Sequence, residues 1–326
     1  MRKRIVSGMR PTGKMHLGHL LGALGNWKSL QEEYECFYFV ADWHALTSEY
    51  GNAGIIRESI HDMVIDWIAS GLDYEASTFF IQSEIKEHLE LHLIFSMITP
   101  LPWLERNPTY KDQLRELAQK DLYTYGFLGY PVLQAADILM YKANGVPVGE
   151  DQAPHVELTR EIARRFNHMY KPIFPEPATL LAPTSKLLGI DRRKMSKSYD
   201  NAIFMSDNDE DATKKVLQMI TDPQRARKKD PGDPKVCNVF SFHEMYTPEE
   251  MVKQIDHDCR TAGIGCWDCK NIMAGNLCKA LAPVREKREK LAADSTLVDD
   301  IIAQGNKKAK EISSQTMVEV KEAIGL

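Results

Sequence analysis

The chain has 326 residues, 43% of them hydrophobic, which is ample for a buried core and suggests one large domain plus a smaller one. A net charge of -5 and a pI near 6.1 argue against a protein that coats nucleic acid indiscriminately, and leave local basic patches to carry any such contact. The basic start MRKR has no apolar run behind it, and no stretch approaches the roughly eighteen apolar residues of a membrane span; the expected location is the cytoplasm, where structural disulfides are rare and six cysteines need another explanation.

Arg4 to Ser7 reads as a short first strand, followed by a turn-rich loop with Gly8, Pro11, Thr12 and Gly13. Leu17, Leu20, Leu21, Leu24, Trp27 and Leu30 form an apolar stripe that predicts a helix from His16 to about Tyr34. Cys36 to Ala41 reads as a second buried strand, Gly54 to Ser70 as a helix stopped by Gly71, and Ser77 to Ile81 as a third strand. This β-α-β-α-β order predicts an α/β fold with a parallel sheet flanked by helices. Residues 86 to 128 look mostly helical and interrupt the alternation. Pro131 to Tyr141 is expected as a helix with proline in its first turn, Val146 to Val148 as a short strand, and Pro154 to Asn167 as a helix. The strand signal fades after Ser198. A Rossmann-like domain over 1–200 and a helical C-terminal domain over 201–326 are therefore expected. Two basic runs fall in the second part: Arg225, Arg227, Lys228 and Lys229, then Arg285, Lys287, Arg288 and Lys290. Either one alone reads as solvated surface.

The first chemical motif is SGMRPTGKMHLGH, a glycine-bearing loop between a strand and a helix N-terminus. Free backbone N–H groups and the helix dipole suit such a place to anions. The pattern is neither GxGxxG nor GxxxxGK[ST], which disfavours a dinucleotide site and a P-loop NTPase. His16 and His19 are three apart and share one helix face, with Gly18 leaving room for a ligand. Alone, the motif is weak, and a pair of surface histidines would look the same.

The second motif is KMSKS at 194 to 198. Arg192, Arg193, Lys194 and Lys197 place four cations within six residues, which repel unless solvated or facing an anion. A basic surface loop is the plain reading. Small serines alternating with lysines also suit a loop that grips phosphate and stabilises charge as pyrophosphate leaves. A third segment, YPVLQAADILMY, puts Tyr130, Gln134, Asp137 and Tyr141 on one helix face. Asp137 among apolar neighbours needs a donor, which a structural ion pair or an aromatic substrate could supply.

HxGH after a first strand, with KMSKS well downstream, resembles the class I aminoacyl-tRNA synthetases. SGMRPTGKMHLGH, VADWHALT, YPVLQAADILMYKANGVPVGEDQAPHVELTREIARRFN and KMSKS together resemble bacterial tryptophanyl-tRNA synthetases. The resemblance implies activation of tryptophan with ATP and Mg²⁺, then transfer to tRNA(Trp). It implies that His16 and His19 hold the ATP phosphates, while Lys194 and Lys197 stabilise the transition state. Arg10, Thr12, Gly18, Gly149, Asp151, Met195 and Ser196 would complete the ATP site. Val6, Gly8, His44, Tyr130, Gln134, Val146, Val148 and Gln152 would shape the tryptophan pocket, with Asp137 accepting from the indole N–H. A homodimer with residues 86 to 128 near its interface is also implied. Arg10, Trp43 and Gln134 depart from the commoner family pattern, and they keep the tyrosine enzyme of the same fold as an alternative.

Cys237, Cys259, Cys266 and Cys269 follow the spacing C-x21-C-x6-C-x2-C. Four thiolates suit tetrahedral zinc or an iron–sulfur cluster, and spacing does not choose between them. The family resemblance implies [4Fe-4S], in a subset with nearly this spacing, and a structural role near the anticodon. Cys36 reads as core, and Cys278 as helix core or a replacement ligand. Two further readings are another nucleotidyl transferase that does not use tRNA and a non-catalytic RNA-binding iron–sulfur module.

Overall fold

The computed structural model describes residues 2–116, 119–182 and 187–326. Five strands form one parallel sheet: β1 (Arg4–Met9), β2 (Glu35–Val40), β3 (Ser77–Ile81), β4 (Gly145–Val148) and β5 (Ala178–Leu181), in the order β3-β2-β1-β4-β5. β2 is the unbroken run ECFYFV, buried from Cys36 onward, as expected for a strand covered on both faces. Its register sets Val6 beside Phe37 and Phe39 beside Phe80. β5 was not visible in the sequence. It is four residues long, half-exposed, and paired only with β4, too short to stand out between the flanking prolines.

The expected helix from His16 is broken in three: α-helix at Leu17–His19, π-helix at Leu20–Leu24, and α-helix at Gly25–Leu30. The helix carrying Asp137 begins earlier than expected, at Tyr125, because the Thr124 hydroxyl accepts the Phe127 N–H (3.2 Å) and caps it. Pro131 therefore lies inside that helix and not in its first turn.

The chain divides into two compact units. One comprises Met1–Gly13, Gly22–Thr184 and Leu291–Leu326; the other comprises Lys14–Leu21 and Ser185–Lys290. The division differs from a single cut at residue 200. The HLGH segment counts with the later unit because Leu17 N–H donates to Ile203 O (3.0 Å) and Met205 N–H to Met15 O (2.9 Å). The last helix, Ser295–Ile324, belongs with the sheet. A Cβ on Gly305 would stand 1.7 Å from the Phe79 carbonyl oxygen, so only glycine allows this approach to edge strand β3. Asn306 Oδ1 accepts the Ile81 N–H (2.9 Å), which satisfies an edge donor.

Each unit has its own core. Val6, Phe37, Phe80, Phe95, Tyr141 and Phe166 are among the side chains filling the first. Leu17, Val216, Phe242, Met273, Leu277 and Leu281 are among those filling the second. No helix among the described residues is long and apolar enough to cross a membrane.

Candidate active site

The candidate residues fall into two groups, one in each unit. In the second unit, His16 caps the Leu17–His19 turn. Its Nδ1 accepts the Gly18 N–H (3.1 Å), and His19 Nδ1 accepts the His16 N–H (3.2 Å). An accepting Nδ1 carries no proton, so each neutral ring presents its N–H at Nε2. The rings lie 3.9 Å apart between centroids. Burial first, then the charges of Lys197 and Lys194, hold His16 down to about 4. Burial and then His16 hold His19 well below its ordinary value. The result is two neutral donors beside two lysines, suited to a polyanion. Gly18 is also constrained by its neighbour. A Cβ there would lie 3.0 Å from the His16 ring, so the glycine makes room for His16 itself.

The lysine loop is a tight reversal. Leu188 bridges Lys194 in antiparallel fashion, Gly189 N–H donates to Arg193 O (2.7 Å), and Met195 N–H donates to Leu187 O (3.0 Å). Met195 is buried, Ser196 and Lys197 are half-buried, and Lys194 is exposed. Asn201 clips the loop from behind: Oδ1 accepts the Ser196 N–H (2.8 Å), while Nδ2 donates to Asp191 Oδ1 (2.7 Å) and Lys194 O (3.2 Å). A lone asparagine after a cationic run gives no signal in sequence, and this contact was missed there.

In the first unit, Asp137 is fully buried. Its Oδ1 accepts from Gln82 Nε2 (2.8 Å) and His88 Nδ1 (2.5 Å); its Oδ2 accepts from Gln82 Nε2 (2.9 Å) and His44 Nε2 (2.7 Å). Burial pushes the carboxyl up, but hydrogen bonds and charge from His44, then His88, together bring it down to about 2. The group is therefore ionised. Gln82 and His88 were not singled out in sequence, because nothing local links them to residue 137. Tyr130 donates or accepts at His155 Nε2 (2.9 Å). Asn107 settles which: its Oδ1 accepts the Thr109 N–H (3.0 Å), so its Nδ2 faces His155 Nδ1 (3.3 Å). His155 then donates from Nε2 to the Tyr130 oxygen.

The other expected pocket residues are spread along the same unit. Val6 and Val146 are buried in β1 and β4, Val148 is half-buried, and Gln134 is half-buried on the Tyr125–Met140 helix. A Cβ on Gly8 would meet the Phe39 ring at 2.4 Å. Arg10 Nη1 donates to Ser48 Oγ (3.4 Å), and Thr12 N–H to Arg10 O (2.9 Å). Asp151 is exposed and accepts from Gln152 Nε2 (2.9 Å), while Gly149 gives its carboxylate room. Trp43 lines a cavity of 330 Å³ with Leu46, Thr47, Tyr50, Thr124 and Gly126.

The four spaced cysteines all lie in the second unit, at helix ends. Cys237 precedes Asn238–Tyr246, Cys259 ends Glu249–Arg260, and Cys266 and Cys269 begin Cys266–Ala293. Burial, then the charges of Cys237, Cys259 and Cys266, push Cys269 up to about 12. Among the described residues no group of three or more His, Cys, Asp or Glu is arranged to hold one metal ion. Arg225, read in sequence as solvated, is a structural residue. Its Nη2 donates to Ile264 O (2.7 Å) and Nη1 reaches Cys259 Sγ (3.8 Å). Arg285 likewise donates to Asp207 O (3.1 Å) and Cys278 O (3.1 Å). All six cysteines are free.

The family model for tRNA synthetases class I (W and Y) matches residues 2–282. The tryptophan–tRNA ligase of Thermotoga maritima is 54% identical, covering 99% of both chains. That of Aquifex aeolicus is 47% identical, covering 99% of this chain and 100% of its own. The Campylobacter jejuni tryptophanyl-tRNA synthetase complexed with ADP and tryptophan superimposes with a TM-score of 0.91 at 31% identity, over 99% of this chain and all of that one. An Archaeoglobus fulgidus tyrosyl-tRNA synthetase, at 22% identity and a TM-score of 0.66, shares the fold alone.

The His16 environment sets a pH dependence. Its folded value lies below the usual 6.5, so the unfolded chain takes up the proton first as pH falls. Its stabilising contribution is complete above 6.5 and is lost as pH falls toward 4. Histidine NMR should show a His16 midpoint near 4 that rises in Lys197→Ala. A midpoint near 6.5 would mean the ring is solvated and the lysines are remote.

Proposed function

The chain belongs to the class I tRNA synthetases of the tryptophan and tyrosine group, and from that footing we propose how its residues divide the work. The protein is a tryptophan–tRNA ligase. It forms tryptophanyl-adenylate and pyrophosphate from L-tryptophan and ATP, then passes the tryptophanyl group to tRNA(Trp). One observation carries the assignment of the nucleotide centre: two histidines with backbone-fixed Nε2–H donors share a compact unit with both KMSKS lysines. ATP with Mg²⁺ is what this class uses.

In this reading the amino-acid carboxylate oxygen bonds to the α-phosphorus. The bond from α-phosphorus to the bridging oxygen breaks, and pyrophosphate leaves with that electron pair. His16 and His19 donate to phosphate oxygens, and Lys194 and Lys197 neutralise charge gathering on the leaving group. Arg10, Thr12, Gly18, Met195 and Ser196 line the nucleotide, and Gly149, Asp151 and Gln152 meet the adenylate. No enzyme nucleophile is needed, because positioning and electrostatics lower the barrier. Asp137, ionised and ringed by N–H donors, is the acceptor for the indole N–H. Val6, Gly8, His44, Tyr130, Gln134, Val146 and Val148 surround the ring. Phenylalanine, lacking a polar tip, would leave that buried charge one donor short. The tyrosine alternative is supported by fold likeness alone.

Two finer features belong to the same reading. The first is a [4Fe-4S] cluster on Cys237, Cys259, Cys266 and Cys269. Burial first, then the charges of Cys237, Cys259 and Cys266, raise the Cys269 thiol, and a cationic centre between them would offset both. When bound, such a cluster cross-links three helix ends near the anticodon-facing part. The second is a homodimer. Leu89, Leu93 and Met97 are exposed on the Glu87–Ile98 helix, spaced four apart on one face, and Leu101 is exposed at the start of the next helix. A cytoplasmic location accords with the six free thiols.

Pyrophosphate exchange into ATP should run strongly with tryptophan and weakly with tyrosine; the reverse would overturn the pocket assignment. Lys197→Ala should slow adenylate formation on the order of 10²-fold while tryptophan affinity stays near wild type, and an unchanged rate removes Lys197 from the mechanism. Protein purified without oxygen should carry iron and inorganic sulfide and absorb near the visible–ultraviolet boundary, with both lost in Cys269→Ser. Zinc in place of iron would reverse the choice of metal. Sedimentation should give twice the 37.1 kDa chain mass, and a monomer would exclude the dimer.

A further inference from the structure

The geometry points to an exchange of donors at Asp137: we propose that His44 holds the place of the indole N–H and leaves Asp137 when tryptophan binds. This rests on the reading of Asp137 as the indole acceptor.

A carboxylate offers about four lone-pair positions to donors. Here both oxygens are already occupied: Oδ1 by Gln82 and His88, Oδ2 by Gln82 and His44. No part of Asp137 is open to solvent. An incoming N–H therefore has to replace a donor, not join the set. Three donors compete for that fate, and they are not held equally. His88 is pinned through both ring nitrogens, Nδ1 to Asp137 and Nε2 to the buried Tyr141 hydroxyl (2.7 Å). Gln82 is fully buried, spans both carboxylate oxygens, and accepts the His44 backbone N–H at Oε1 (3.3 Å). The His44 ring has one hydrogen bond among the described residues, to Asp137, and its side chain is 11% exposed while that of His88 is sealed. His44 is the donor that can be released.

The replacement is chemically like for like. An imidazole N–H and an indole N–H are both in-plane donors on five-membered rings. Exchange keeps Asp137 satisfied throughout, which a buried carboxylate requires. It also makes His44 a specificity-determining residue. A ring without an N–H must either leave His44 in place, and collide with it, or expel it and strand the charge.

Equilibrium binding of tryptophan and of β-(3-benzothienyl)alanine, in which sulfur replaces the N–H, tests this on the full chain. Wild type should prefer tryptophan strongly. His44→Ala, with the competitor gone, should bind tryptophan about 10-fold tighter, as expected for a hydrogen bond to a charged group. His44→Gln, whose amide can still donate, should return the affinity toward wild type. A wild-type crystal structure with tryptophan gives a measurement free of folding defects: His44 Nε2 should lie beyond hydrogen-bonding distance of Asp137. Equal wild-type affinity for the two ligands would remove Asp137 as the indole acceptor, and this inference with it. Strong discrimination, with His44 still bonded to Asp137 in the complex or no tightening in His44→Ala, would overturn the exchange alone.

Discussion

A carboxylate sealed in an apolar core has to be surrounded by donors, and the need of Asp137 organises the first unit. Its helix, Tyr125–Met140, supplies the charge. The donors come from the Asp42–Glu49 helix, from the end of β3 and from the Glu87–Ile98 helix. Losing any one would leave a buried charge short of a partner, which costs far more than the bond itself contributes. The parallel sheet is what brings these elements to one place. β2 and β3 are adjacent, and the segments leaving their C-terminal ends carry His44 and Gln82. A ligand at the C-terminal ends of parallel strands is the usual consequence of such a sheet.

The histidine–lysine centre solves a different electrostatic problem. A site for a highly charged nucleotide that used only cations would repel itself when empty. Here burial and the lysines keep both histidines neutral, so they contribute dipoles and not charge. Backbone N–H groups at Nδ1 decide which nitrogen carries each proton. The donors are thus oriented before any ligand arrives, which is the form of preorganisation that makes electrostatic stabilisation effective. Asn201 does the same for the lysine loop, fixing its backbone from one buried amide and leaving Lys194 exposed.

The second unit depends on the first motif in a way its composition hides. Residues 14–21 pair with 203–205 and contribute Leu17 to a core of helices whose other members come from beyond residue 185. The HLGH segment is thereby backbone-linked to the chain just after KMSKS, across nearly two hundred residues of sequence. The C-terminal helix makes the opposite journey, returning to cover β3 through a glycine that no other residue could replace.

Much of this was legible in the residues themselves. β2 showed most plainly as an apolar run because a strand buried on both faces has few polar positions to disguise it. HLGH, KMSKS and the cysteine spacing were legible because they set chemically distinctive side chains close together in sequence. Asp137 announced itself as a charge in an apolar helix. What the sequence could not show was everything set by contact between distant segments. Gln82 and His88 lie 55 and 49 residues from the aspartate they hold. Asn201 and Asn107 look like ordinary loop asparagines until their amides are placed. β5 exists because β4 pairs with it, and Pro131 sits mid-helix because Thr124 caps the turn before it. Local periodicity and side-chain chemistry determined which elements form and which residues are candidates for the chemistry. Hydrogen bonding across the fold decided which nitrogen carries a proton, which carboxylate stays ionised, and which segments belong to one unit, because those depend on partners that only packing brings near.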